Sequence, residues 1–328
     1  MKKGIGSKRI MAALLAVWML CVPLTACGGA PEEADVICTT FAAYDWVRNL
    51  LGEDRTLTVD LLVSDGSDVH SYQPTVADKI RLSESRLVIY MGGESDRWVS
   101  ELLADTKNEV EQICLSEIDG VTLHTVSAEG EGTESAHTHE HGEGEDHDHE
   151  AFDEHLWLSP MNALTCTEYI AAALSRLAPE AAETYEQNLA SYREALQTLS
   201  ADYRTAVEQA SVRKLLFADR FPFVYLTEEY GIAYCAAFEG CSTENEASFD
   251  TIVRLGQKAD EWGLRYVMVT ETSDRKLAQS VIDATAGKDQ QILCMESMQS
   301  VSRQDVEQGV SYLSVMYENL DVLRLALS

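Results

Sequence analysis

The chain has 328 residues, with 25 basic against 55 acidic side chains and a formal net charge of −30. That balance argues against nucleic acid or an anionic lipid surface as ligand and favours cations, although much of the excess lies in a linker and a loop and serves solubility first. The length is enough for two domains.

At the N-terminus Lys2, Lys3, Lys8 and Arg9 precede an apolar run from Ile10 to about Leu24, and Leu24 to Cys27 reads LTAC. A basic start, a short apolar stretch and small residues before a cut describe a secretory signal, too short for a membrane span. The closing cysteine makes the string resemble a bacterial lipobox, which implies removal of residues 1–26 and acylation of Cys27. An incidental cysteine after an ordinary signal is the alternative. GGAPEEAD then forms a polar tether over residues 27–35.

Alternating strands and helices follow. Strands are expected at Val36 to Thr40, Leu57 to Val63, Leu87 to Tyr90 and Glu111 to Cys114. Helices are expected at Phe41 to Leu51, stopped by Gly52, from Pro74 as first helical residue, and from Asp96 to Leu103. Such alternation implies a parallel sheet covered on both faces.

From His137 to His155 the sequence reads HTHEHGEGEDHDHEAFDEH and holds six of the eight histidines. So few apolar residues cannot offset ordering entropy, so a disordered loop is expected over residues 127–152. Its imidazoles His137, His139, His141, His147 and His149 still form an auxiliary metal-gathering set, because imidazole suits zinc, copper, nickel and iron. His155 differs, since it enters the apolar, strand-like LWLSP and so has a fixed direction.

Beyond the loop, a helix is expected from Ala163 to Leu177 and a longer one from Pro179 to about Gln209. The apolar residues Tyr185, Leu189, Tyr192, Leu196, Leu199, Tyr203 and Val207 form one stripe on it. About thirty residues span roughly 45 Å, enough to run beside two domains. A coiled-coil dimer is the rival reading, though fewer than about five heptads inside an α/β chain favour a monomer.

A second α/β unit follows, with strands at Leu215 to Ala218, Ile232 to Ala237, Arg265 to Thr270 and Gln291 to Met295. Its helices are Phe223 to Tyr230, Phe249 to Trp262, Asp274 to Ala286 and Arg303 to Leu327. The domains are thus 36–178, a linking helix 179–209, and 210–328. Apart from Cys21 and Cys27 there are six cysteines, none in a zinc-type CxxC spacing, which read mostly as buried thiols.

Ligands of open α/β sheets bind outside the carboxyl ends of strands. There stands His70, by itself a cap residue or a ligand. The string GSDVHSYQPTVADKIRLSESRLVIYMGG around it closely resembles the first metal motif of the zinc and manganese substrate-binding lipoproteins of ABC transporters (cluster A-I). DEHLWLSPMNA resembles the second, with Glu and Ser where that family usually has Pro and Asp. The resemblance covers essentially the whole chain.

It implies two α/β domains with parallel sheets joined by one long rigid helix, and a metal held in the cleft between them. Family ligands carry over to His70 and His155. Where a third usually stands, the chain has Arg220, which stays protonated and cannot ligate. Asp219 is the substitute, or Asp219 and Arg220 form an ion pair closing the cleft. The fourth ligand maps to Glu271 or Asp274, with Glu271 first because it follows the strand end directly. Glu239, Glu244 and Glu246 read as solvated loop carboxylates.

Two imidazoles with one or two carboxylates suit zinc or manganese, and the histidine-rich loop favours zinc as the transported ion. The implied function is a lipid-anchored, extracytoplasmic receptor that delivers zinc to an ABC permease without catalysis. A manganese receptor, a metal hydrolase and a metal-buffering surface protein or adhesin are the alternatives. No HExxH or serine-nucleophile motif supports the hydrolase.

Overall fold

A computed structural model describes residues 34–125, 152–240 and 247–328. The signal, Cys27, nearly all of the tether, His137 to His149, Cys241, Glu244 and Glu246 lie outside the described residues.

In the first half the strands are Val36–Cys38 (β1), Val59–Leu61 (β2), Leu87–Tyr90 (β3) and Glu111–Cys114 (β4), parallel throughout in the order β2-β1-β3-β4. β1 and β3 are buried along their whole length, as apolar runs covered on both faces must be. The helices are Phe41–Leu51 (α1), Val76–Glu84 (α2) and Arg97–Asp105 (α3). α2 begins after Pro74, because Thr75 caps it. The Thr75 hydroxyl accepts from the Asp78 N–H while the Asp78 carboxylate accepts from the Thr75 N–H. That reciprocal cap sets the helix start two residues beyond the proline.

Pro160–Leu177 (α4) leads to a 3-10 turn, Pro179–Ala181, and then to Ala182–Glu208 (α5). Pro179 therefore opens the turn rather than the long helix itself. Leu156–Leu158, expected as a strand-like exit, is also a 3-10 turn. Its three side chains are all buried, so burial rather than extension explains their apolar character.

The second half repeats the first. Lys214–Phe221 (β5), Val224–Tyr230 (α6), Ala233–Glu239 (β6), Phe249–Trp262 (α7), Tyr266–Thr270 (β7), Lys276–Ala284 (α8) and Gln291–Met295 (β8) build a parallel sheet of order β6-β5-β7-β8. The expected final helix is two, Arg303–Glu307 (α9) and Tyr312–Ala326 (α10). Gly309 between them has φ 97°, a left-handed backbone that breaks the helix, and Ser311 caps the next one. Of the described cysteines, Cys38, Cys166 and Cys235 are buried and Cys114 and Cys294 half-buried, all as free thiols.

α5 presents Tyr185, Tyr192, Leu196, Leu199, Tyr203 and Val207 inward. Near its start the Tyr185 hydroxyl donates to Asp54 at 3.1 Å, and near its end the Tyr203 hydroxyl donates to the Met316 carbonyl at 2.6 Å. One hydrophobic cluster runs through both halves, from Trp46 and Ile89 to Phe217, Met268 and Met316. Each large side chain so buried contributes about 1.5–3 kcal/mol.

Candidate metal centre

His70 lies in the loop after β2, in a 3-10 turn, Val69–Ser71, capped by Asp68, whose carboxylate accepts the His70 N–H at 2.9 Å. His155 lies just before the Leu156–Leu158 turn and is fully buried. Asp153 Oδ1 accepts both the backbone N–H of His155, at 2.9 Å, and its Nδ1–H, at 2.8 Å. The imidazole is thereby locked as the Nδ1–H tautomer, with the edge of Trp157 packed on it at 5.3 Å between ring centroids.

The His70 ring is held on the same side. Its Nδ1 stands 2.6 Å from Ser95 Oγ and 3.2 Å from Glu154 Oε2, while Glu154 Oε1 accepts the Ser95 N–H at 3.0 Å. Burial pushes the His70 pKa down, but Glu154, Asp68 and Asp153 outweigh it and leave the ring above its usual value. Burial likewise pushes Glu154 up, and hydrogen bonds from His70 and Ser95 bring it down to about 2.

With both Nδ1 atoms engaged, the two Nε2 atoms face each other at 2.9 Å. Two imidazole lone pairs that close repel unless a proton or a cation lies between them. A tetrahedral zinc with Zn–N bonds of about 2.0–2.1 Å would hold the two nitrogens roughly 3.3 Å apart, so the rings need to part by only a few tenths of an ångström. Carboxylates behind the imidazoles are the arrangement that orients histidine ligands and raises their basicity.

The acidic candidates are engaged elsewhere. Asp219, in β5, accepts from the Thr270 N–H at 3.0 Å, the Thr270 hydroxyl at 2.7 Å and the Arg220 N–H at 2.9 Å, tying β5 to the end of β7. The Arg220 guanidinium approaches Asp68 of the other half, at 3.7 Å, next to the turn that carries His70. Glu271 accepts the Ser297 hydroxyl at 2.5 Å and its N–H at 2.9 Å. Burial and the negative Glu271 beside it raise the pKa of Glu296. Asp274 is on the surface, holding Lys276 at the start of α8. Glu239 ends β6. Among the described residues no group of three or more His, Cys, Asp or Glu side chains converges as a metal shell.

Five residues at the centre, Asp153 among them, were not singled out from the sequence. The Gln299 carboxamide packs against His155 Nε2. It is carried by a turn in which Met298 has φ 64°, a left-handed conformation that costs a side-chain-bearing residue strain. Gly240 lets the end of β6 approach so closely that a Cβ there would stand 3.2 Å from His155 Cε1 and 2.7 Å from Asp153 Oδ2. Ser95 and Glu154 complete the set. Two carboxylates directly before a histidine, in DEH, were the signal for Asp153 and Glu154. Gln299 and Ser95 had none, being brought in by the fold from 144 and 25 residues away.

Residues 36–326 match the family profile described as ZnuA, zinc-uptake complex component A, periplasmic. The chain belongs to this family. Among ZnuA relatives, it is 29% identical over 322 residues to the zinc-binding lipoprotein AdcA of Streptococcus pneumoniae, covering 96% of this chain and 60% of that protein. It is 26% identical over 318 residues to the high-affinity zinc uptake system protein ZnuA of Bacillus subtilis, covering 96% and 95%. The chain thus spans somewhat over half the length of the streptococcal relatives. The zinc-bound ZnuA-like domain of S. pneumoniae AdcA shares the fold, with a TM-score of 0.70 at 24% identity over 90% of this chain and 99% of that one. Two parallel-sheet α/β domains and a long helix are therefore the architecture of ZnuA-like proteins, and the ZnuA family is one of transport components.

Proposed function

We propose that the protein is an extracytoplasmic receptor that captures a divalent transition metal, zinc first and manganese second, and passes it to an ABC permease. The observation that carries this is the facing pair of His70 and His155 Nε2 atoms, 2.9 Å apart with a carboxylate behind each ring. The names of the relatives, zinc-binding lipoprotein and zinc uptake protein, support the choice of metal. Imidazole also binds zinc more strongly than manganese. Residues 36–178 and 210–328 serve as the two lobes, 179–209 as their link, and acylated Cys27 as the anchor. Asp219, Glu271 and Asp274 are proposed as candidates for completing the shell. Of the three, Glu271 stands best, because Ser297 links it to the turn bearing Gln299. Capture and release ask for no catalytic step, and the chain acts as a monomer.

Competition calorimetry with zinc and manganese tests this reading. About one tightly bound zinc per chain, which manganese does not displace, is expected. Tight manganese binding indifferent to zinc would overturn the metal assignment.

A further inference from the structure

Glu154 is buried to 4% exposure, yet it is not a candidate ligand, because it lies on the Nδ1 side of His70, away from the facing Nε2 atoms. Oε1 accepts the Ser95 N–H at 3.0 Å, and Oε2 stands 3.2 Å from His70 Nδ1, beside the Ser95 hydroxyl, which lies 2.6 Å from that nitrogen. Space is cleared for it, since a methyl group on Gly93 would overlap Oε1, Cδ and Cγ of Glu154. Asp153, its neighbour, serves the other ring. Two adjacent residues thus each hold one imidazole.

We infer that Glu154 is a positioning residue for the cargo metal: its carboxylate fixes His70 as the Nδ1–H tautomer and so keeps the Nε2 lone pair directed at the metal. This rests on the reading of His70 and His155 as ligands. A carboxylate is required rather than any polar group. The Ser95 hydroxyl beside His70 Nδ1 can donate as well as accept and so suits either tautomer, whereas a carboxylate only accepts, and an amide has one accepting atom to share between Ser95 N–H and His70 Nδ1. In Glu154→Gln the amide NH2 therefore faces one of two donors. Facing His70, it drives the ring towards the Nε2–H tautomer, which has no lone pair left for a metal.

The test uses nitrogen NMR of the histidine rings in the metal-free protein, with zinc affinity measured alongside. In the parent protein His70 should carry a proton on Nδ1, whether or not Nε2 is also protonated. In E154Q that preference should be lost, His155 should keep its tautomer, and zinc affinity should fall about 10- to 100-fold. Gly93→Ala, which displaces the carboxylate without removing it, should reproduce both changes. An E154Q protein in which the His70 tautomer is unchanged would overturn the inference, as would one in which both histidines change together. If His70→Ala leaves zinc binding intact, the ligand reading itself fails, while the ring spectra still decide whether Glu154 sets the tautomer.

Discussion

The carboxylates of the first half and those of the second have opposite relations to the imidazoles. Asp153 and Glu154 lie in the same tripeptide as His155, and each holds a ring nitrogen at 2.8 and 3.2 Å. Asp219 and Glu271 come from separate strand ends and are satisfied by Thr270 and Ser297, whose backbone N–H and hydroxyl both donate to them. A carboxylate with two good donors gives up a hydrogen bond to reach a metal, and each such bond to a charged group is worth about 1.5–3 kcal/mol. The two imidazoles are already aimed, with their Nε2 atoms facing each other, and only His155 has a neighbour there to displace, the Gln299 carboxamide. Half of this centre is therefore preorganised, and the other half is fastened elsewhere.

The sharpest way to break that contrast is to remove an imidazole. His70→Ala or His155→Ala should weaken zinc binding by more than about 100-fold, since the loss of an outer-shell partner alone costs 10- to 100-fold. Calorimetry reads this directly, and retention of tight binding in either variant would refute the preorganised pair.

Acid should act next. The pKa of His70 lies above its usual value, so its Nε2 takes up a proton first as pH falls, and that proton competes with the metal. Zinc affinity should fall by about tenfold per pH unit for each proton displaced, beginning above the ordinary imidazole range. In the metal-free protein the sign reverses: the raised pKa contributes stability below pH ~6.5, lost as pH rises through the folded value. Thermal melting against pH, with and without zinc, should show the two opposite slopes.

Arg220→His sharpens the comparison from the other side. It removes a cation beside Asp68 and supplies a neutral nitrogen donor, so zinc should bind about tenfold tighter, equivalent to ~1.4 kcal/mol. Unchanged affinity would show that this strand end does not face the metal.

The smallest effect is expected for Asp219→Ala, since of the proposed candidates Asp219 is held by three donors, from Thr270 and Arg220, and ranks behind Glu271. Its zinc affinity should change by less than about threefold, while denaturant titration should show a loss of about 1–3 kcal/mol from the stranded Thr270 donors. A large loss of zinc affinity with unchanged stability would place Asp219 in the metal shell.

The fold was legible where a glycine stops an apolar run, as Gly52 does after α1, Gly263 after α7 and Gly92 just beyond β3, and the short strands β4 and β8 also lie where the alternation put them. It was misread where a side chain outranks a proline, as Thr75 does Pro74, and where a short buried turn, Leu156–Leu158, has the apolar content of a strand. His70 and His155 were legible because each sits in a motif. Gln299 was not, since a glutamine between Met298 and Ser300 carries no mark of its neighbour until β8 and the strained Met298 deliver it. The partners of Asp219 and Glu271 were equally hidden, because Thr270 and Ser297 are strand-end residues with no pattern of their own.

The helix α5 and the core it shares have a mechanical consequence. Tyr312 at the start of α10 donates its N–H to Asp45 of α1 and its hydroxyl to the Trp157 carbonyl, so side chains of both halves interlock behind the metal centre. At the front, the ties include Val69 N–H to the Gln299 carbonyl, Arg303 N–H to the Ser64 carbonyl, the Arg303 guanidinium to Asp60, and Arg220 to Asp68. The turn that carries His70 is thus fastened across the two halves by these ties alone among those named, while the shared core behind it is fastened by buried side chains.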